Sequence, residues 1–169
     1  MARAGTVWHP SAMSRPRRIL FVCTGNVCRS AMAEHLLRHL AARRGLEVET
    51  ASVGLAAEDH YRMPEAARRQ LEAAGVPPFR HRARRATRAL LDRADLILAM
   101  ADDHRSCIAE AYPELAPRTR LLREAAGFGE EDVEDPMSRP DEEFARCFAL
   151  IREALEALLR SEFEPPRAG

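Results

Sequence analysis

No run of apolar residues in this chain approaches the ~18–20 that a membrane-spanning helix needs, and the N-terminus carries no apolar segment of signal-peptide type. Net charge is absent too. Lys+Arg and Asp+Glu are equal at 26 each, so no overall field draws the protein to nucleic acid or to an anionic membrane. The basic clusters at residues 15–18 and 80–88 are local and read mainly as solvated surface, with some capacity to favour an acidic substrate. The four cysteines, Cys23, Cys28, Cys107 and Cys147, lack the regular spacing of a disulfide scaffold. No second Cys or His pair stands at zinc-ligand distance from Cys23 and Cys28. A reduced, cytoplasmic protein is expected, as a monomer or weak dimer. Internal repeats and low-complexity tracts are missing. With 169 residues and 46% hydrophobic content, the chain suffices for one domain with a core and is too short for two.

Residues 1–16 hold Gly, two Pro, Ser, Arg and a lone Trp8 without periodicity, and are expected to be a disordered extension; Met13 is a second candidate initiator. The domain is expected over residues 17–161, with a disordered tail at 162–169. Within it, Ile19-Leu20-Phe21-Val22 is an unbroken apolar run that suits a strand buried on both faces. Ala33, Leu36, Leu37 and Leu40 then mark one face of a helix ending near Gly45. Residues 47–53 read as a second strand and 54–63 as a loop. A helix follows from Pro64 to Gly75, with Ala67, Leu71 and Ala74 on one face.

Residues 79–88 are basic and irregular, and Thr87 reads as the N-cap of a short helix through Arg93. The run Leu96-Ile97-Leu98-Ala99-Met100 is a third strand. Residues 102–112 read as a helix with Ile108 and Ala111 inward, and 118–122 as a fourth strand. Residues 123–140 read as a long acidic loop carrying Glu134-Asp135-Pro136. The last helix shows Phe144, Phe148, Ile151, Leu155 and Leu158 at helical spacing. This alternation predicts an α/β fold, three-layer α/β/α with a four-stranded parallel sheet, Rossmann-like, whose ligand sits beyond the carboxyl ends of the strands.

The stretch Cys23-Thr24-Gly25-Asn26-Val27-Cys28-Arg29-Ser30 lies at such an end, directly before a helix. A strand–loop–helix of this kind aims backbone N–H groups and the positive helix end at one spot, which suits a bound oxyanion. A thiol there, beside an arginine, can lose its proton well below its ordinary range near ~8.5, so Cys23 is the candidate nucleophile. Ser30 can donate its hydroxyl to the sulfur. Gly25 and Asn26 are the residue types that best tolerate the left-handed backbone needed to turn N–H groups inward. The six-residue step from Cys23 to Arg29 lets the guanidinium fold back and grip two oxygens of a tetrahedral anion in a forked contact. The plainer alternative is that Cys23 and Cys28 are small buried hydrophobes; the ordered setting of strand, Gly, Asn, Arg, Ser and helix argues against it.

These residues carry a resemblance. Val22-Cys23-Thr24-Gly25-Asn26-Val27-Cys28-Arg29-Ser30-Ala31-Met32-Ala33-Glu34 resembles the signature of the low-molecular-weight protein tyrosine phosphatase family, bacterial type. Ser52-Val53-Gly54, His81-Arg82-Ala83-Arg84, the segment from Ala94 to Met100, and Asp135-Pro136 follow in the family's order, so the similarity spans roughly residues 17–160.

The resemblance implies a phosphocysteine mechanism without metal or cofactor, on a phosphorylated protein or a small phosphomonoester. Cys23 would be the nucleophile and Arg29 the phosphate clamp. Residues Thr24, Gly25, Asn26, Val27, Cys28, Arg29 and Ser30 would bind phosphate, and Asp135, stiffened by Pro136, would be the general acid. It also implies a hydrogen-bond network of Asn26, Ser30 and His81 behind the phosphate, and the capacity of Cys28 to form a protective disulfide with Cys23. His9, His35, His39, His60 and His104 show no metal spacing beyond His35 and His39, which read as a solvated helix face. Cys107 and Cys147 read as core.

Departures bear on the substrate. Leu55-Ala56-Ala57 and Met137-Ser138 stand where the family carries the aromatic walls of a phosphotyrosine slot. Val27 is aliphatic, as in the tyrosine phosphatases, where the arginine-phosphatase branch carries Thr; the spacing from Asp135 to Phe144 resembles that branch instead. Phosphotyrosine is the expected substrate type, with phosphoarginine the alternative. Two further rivals are a thiol-coupled arsenate reductase, which needs redox cysteines after the third strand where Ala101 stands, and a phosphate-binding module without catalysis.

Overall fold

A computed structural model describes residues 17–164. Four parallel strands, β1 (Arg18–Cys23), β2 (Glu49–Gly54), β3 (Leu96–Ala99) and β4 (Thr119–Leu121), form one sheet in the order β2-β1-β3-β4. The predicted three-layer architecture and parallel sheet are present. In register, Phe21 sits beside Ser52 on one side and Leu98 on the other, and Cys23 pairs with Gly54 at the carboxyl edge. The chain leaves β1 toward β2 on one side and returns to β3 on the other, so the crevice where the strand order reverses opens above Cys23.

Among the described residues, six helices cover the sheet: α1 (Arg29–Arg43), α2 (Glu65–Ala73), α3 (Arg88–Asp92), α4 (Asp102–Ala111), α5 (Leu122–Ala125) and α6 (Asp141–Glu162). Because strand side chains alternate, β1 divides between two cores. Ile19 and Phe21 join Leu96 and Leu98 against Leu36, Leu37, Leu71, Ile151 and Leu155, the face covered by α1, α2 and α6. Leu20 and Val22 join Val53, Ile97, Leu91 and Ile108 on the other face, under α3 and α4. Burial on both faces explains the unbroken apolar run of β1.

Several boundaries differ from the sequence reading. Leu122, read as the end of the fourth strand, and residues 123–125, read as the start of a loop, form a helix, because Leu122 turns into the core. Residues 113–118 form a 3₁₀ segment that the Pro-containing stretch concealed. Past the expected boundary at 161, α6 continues to Glu162 and Phe163 is buried against the core. Cys107 and Ala111, both read as inward, are exposed: Cys107 lies about a quarter turn round α4 from the buried Ile108, and Ala111 is the last residue of the helix. Cys147 is buried as expected. Residues 1–16 and the rest of the proposed tail lie outside the described residues. Among the described residues, no helix is long and apolar enough to cross a membrane.

Candidate active site

β1 ends at Cys23 and α1 begins at Arg29, with Cys28 at its N-cap, so the intervening residues are a loop fixed at both ends. Asn26 takes the left-handed conformation, with φ of 55°, while Gly25 does not. The sequence reading allowed both. Asn26 meets the demand because its side chain is tied down: Nδ2 donates to Ser30 Oγ at 2.9 Å and to Ser52 Oγ at 2.8 Å, and Oδ1 accepts from the Arg84 N–H at 2.9 Å. Ser30 Oγ lies 2.8 Å from Cys23 Sγ. Its oxygen already accepts from Asn26, so the hydroxyl hydrogen is free to point at the sulfur. Ser30 is the second residue of α1, so the sulfur lies by the first turn of that helix.

Arg29 is buried in spite of its charge, 6% exposed. Nη1 donates to the Val133 carbonyl at 3.0 Å, and Nη2 stands 3.7 Å from Asp135 Oδ2. The guanidinium thus brings together the Cys23 loop and the Asp135 loop, which are far apart in sequence. The second loop is held in place from below. Val133 N–H donates to the Met100 carbonyl at 2.7 Å, Asp132 accepts from the first N–H of α4, and Asp135 Oδ1 accepts from Met137 N–H at 3.0 Å in a local turn. The acidic residues around Asp135 are largely engaged: Arg105 pairs with Asp102, Glu124 and Glu130, and Arg123 with Glu131 and Glu153. Asp135 itself stays half exposed.

The expected network behind the loop is present and longer than expected. His81 Nε2 is 2.6 Å from the Asn26 carbonyl, and His81 Nδ1 is 3.0 Å from His35 Nε2. Arg38 can only donate, and it reaches His35 Nδ1 at 3.2 Å. The chain of protons is therefore directed: Arg38 to His35 Nδ1, His35 Nε2–H to His81 Nδ1, and His81 Nε2–H to Asn26. His35 is buried and stacked on Phe79, not solvated as the i,i+4 pair with His39 suggested, and burial lowers its pKa to about 4. Ser52 closes the network by donating to Glu34. Glu34, His35 and His81 bring ligand-type atoms within 4.8 Å of one another. Each of those atoms is already a partner in this chain, and Arg38 lies beside them, so the cluster fits a hydrogen-bond relay better than a cation site.

The irregular basic stretch is placed through its backbone. Gly54 N–H donates to the Arg84 carbonyl and Ala86 N–H to the Gly54 carbonyl, which lays residues 84–86 along the end of β2. Two more residues escaped sequence reasoning. Tyr61 lies beside the loop: a Cβ built on Gly25 would stand 3.7 Å from the Tyr61 ring and 3.7 Å from Val27. An aromatic wall thus exists where the motif positions lack one, supplied from the far end of the loop after β2. His104 is buried against Thr24, and no spacing rule marks it.

Cys28 is buried and accompanied by Cys147, whose hydrogen bond, with burial second, pushes the Cys28 thiol far up; all four cysteines are free. Cys28 is therefore held as a neutral thiol next to the sulfur of interest. Among the described glycines, Gly54 has the least room for a side chain. A Cβ there would meet the Thr24 carbonyl at 2.5 Å and the Asn26 N–H nitrogen at 2.8 Å, both backbone atoms. Gly54→Ala is expected to displace the loop at a cost of about 1–3 kcal/mol of overpacking. Phosphate affinity should fall about tenfold for the first 1.4 kcal/mol of that. Isothermal titration with phosphate, beside a melting curve, checks this; unchanged affinity would mean that the loop has slack.

Comparison with known proteins agrees with this geometry. The family described as low molecular weight phosphotyrosine protein phosphatase matches residues 18–164. The chain is similar to a protein-arginine-phosphatase of Bacillus subtilis, 34% identical over 142 residues, which cover 84% of this chain and 91% of that protein. It is also similar to low molecular weight protein-tyrosine phosphatase A of Mycobacterium tuberculosis, 35% identical over 153 residues, 86% of this chain and 91% of the relative. A solved structure of the arginine phosphatase YwlE, a Cys-to-Ser variant with a phosphorylated active-site serine, superposes with a TM-score of 0.82 at 30% identity, covering 89% of this chain and 98% of that one. With the Cys23 loop, the buried Arg29 and the fold all in agreement, the chain belongs to the low molecular weight phosphotyrosine protein phosphatase family.

Proposed function

We propose that the protein is a cysteine-dependent phosphatase of phosphotyrosine-type phosphomonoesters, acting through a phosphocysteine. Cys23 Sγ forms a bond to phosphorus as the bond to the leaving oxygen breaks, and Asp135 delivers a proton to that oxygen. Asp135, now a carboxylate, takes a proton from water, whose oxygen attacks phosphorus and expels the Cys23 thiolate with phosphate. Arg29 and the loop amides offset the charge on the phosphoryl oxygens throughout. The observation that carries this reading is the junction of the two loops: Ser30 on the sulfur at 2.8 Å, and Arg29 facing Asp135 at 3.7 Å. The four free thiols suit a reducing, cytoplasmic setting.

An aromatic leaving group is favoured by Tyr61, an exposed ring that flanks Gly25 together with Val27. Val27 is buried with Ala57 and Ala83, an apolar patch that does nothing for a charged guanidinium. The second reading, phosphoarginine, is supported by the similarity to the Bacillus subtilis protein-arginine-phosphatase and by the lack of an aromatic residue directly after Asp135-Pro136. Initial rates on phosphotyrosine and phosphoarginine peptides decide between them. Wild type is expected to prefer phosphotyrosine by at least about tenfold, and Val27→Thr to narrow that preference by placing a hydroxyl beside the leaving group, an effect of about 1 kcal/mol. A wild type that prefers phosphoarginine overturns the aromatic reading while leaving the phosphocysteine chemistry intact.

A further inference from the structure

His104 is almost fully buried, at 2% exposure, and uses both ring nitrogens. Nδ1 lies 3.1 Å from the N–H of Ala101, the residue at the N-cap of α4. Nε2 lies 3.0 Å from Thr24 Oγ1. A backbone N–H can only donate, so Nδ1 must be unprotonated and the single ring proton of the neutral form sits on Nε2, from which it is donated to Thr24. Thr24 is the residue next to Cys23, and its carbonyl accepts from Ala56 N–H at 2.9 Å. Its side chain is exposed at the mouth of the crevice, and among the described residues His104 is its one hydrogen-bond partner.

The neutral state is also the favoured one. Burial, and after it the Arg29 guanidinium, lower the pKa of His104, while Asp103, Asp132 and Asp135 act in the opposite direction. A protonated ring would present an N–H to the Ala101 N–H and lose that contact. The imidazole is therefore a fixed strut. At one end it holds the turn between β3 and α4, to which Asp132 and Val133 also bind the Asp135 loop; at the other it holds the first residue of the Cys23 loop.

We propose that His104 is a positioning residue of the phosphatase site, which braces Thr24 against the β3–α4 turn and so holds the opening of the phosphate loop in its anion-binding form. The proposal rests on the phosphatase reading for its catalytic consequence, but its geometry can be tested through phosphate binding alone. The two ring nitrogens can be separated by substitution: in His104→Asn the amide oxygen can keep the cap on Ala101 while the donor to Thr24 is lost, and in His104→Gln the amide N–H can reach toward Thr24. Thr24→Val removes the acceptor with little change of shape.

Phosphate titration in a Cys23→Ser background reads the brace without turnover, and steady-state kinetics in the Cys23 parent reads its effect on hydrolysis. His104→Asn and Thr24→Val are each expected to weaken phosphate binding about fivefold, the loss of one hydrogen bond. The double variant should be no worse than either single one, because both remove the same contact. His104→Gln should recover part of the loss, with melting temperatures of all variants near that of the parent. Full additivity of the two substitutions, or a His104→Asn variant that binds phosphate as the parent does, would show that His104 serves only as a cap of α4 and would overturn the proposal. A parent that hydrolyses no phosphomonoester yet shows the same coupled loss of phosphate binding would instead retain the brace and remove the phosphatase reading.

Discussion

Replacing Cys23 by serine is expected to lower kcat by ~10⁴-fold or more, about 5.5 kcal/mol of transition-state stabilisation, while phosphate still binds. The sulfur is the atom to which everything else in the site is addressed: Ser30 is 2.8 Å from it, and Ser30 is itself held by Asn26. A serine oxygen at the same place is a weak nucleophile, because an alcohol keeps its proton at neutral pH, and the side chain that reaches the sulfur, Ser30, is no base. Binding should survive, since Arg29 and the loop backbone do not depend on the sulfur. Intact mass after incubation with substrate adds a second reading: slow attack by the introduced serine followed by slower release would leave a phosphoryl group on the protein, the species seen in the Cys-to-Ser variant of the YwlE relative. Turnover close to wild type in Cys23→Ser would end the phosphocysteine mechanism.

The second large effect concerns Asp135. A tyrosine phenol has a pKa of about 10, so expelling phenoxide at neutral pH without a proton is costly, and a positioned acid contributes roughly 10²–10⁴ in rate. Asp135→Ala is expected to lower kcat on phosphotyrosine by about 10²–10³-fold, and much less on an aryl phosphate whose phenol is already acidic, such as p-nitrophenyl phosphate. Stability should change little, because Asp135 is half exposed and its ties are the local turn to Met137 and a 3.7 Å approach to Arg29. Rates plotted against leaving-group pKa should steepen in the variant. Equal loss on all substrates would assign Asp135 to the orientation of Arg29 instead of to proton delivery.

The sheet was legible in the chain because β1 and β3 are buried on both faces and thus read as continuous apolar runs. The Cys23 loop was legible because its chemistry is compressed into consecutive residues. What stayed hidden arrives from elsewhere in sequence and carries no periodic signal. Tyr61 reaches Gly25 across a loop, so the motif positions looked empty of aromatics. His35 and His104 sit on helices where a histidine normally faces water, and only the meeting of α1 with His81, and of α4 with Thr24, turns them inward. Cys107 failed for the opposite reason: a helix of ten residues with one strongly apolar position leaves its buried stripe undetermined by a residue or two.

The wiring of Asn26 and Arg29 also sets when the site comes into being. Arg84 meets Asn26 across 58 residues, and Val133 meets Arg29 across 104. Contacts of such range are completed late, once the intervening chain has closed. During synthesis the cysteine emerges first and the segments that shape its loop emerge much later. A nascent chain that has progressed only through α3 holds Cys23 but lacks the carbonyl that anchors Arg29 and lacks Asp135 altogether, so these contacts of the loop wait for the rest of the domain.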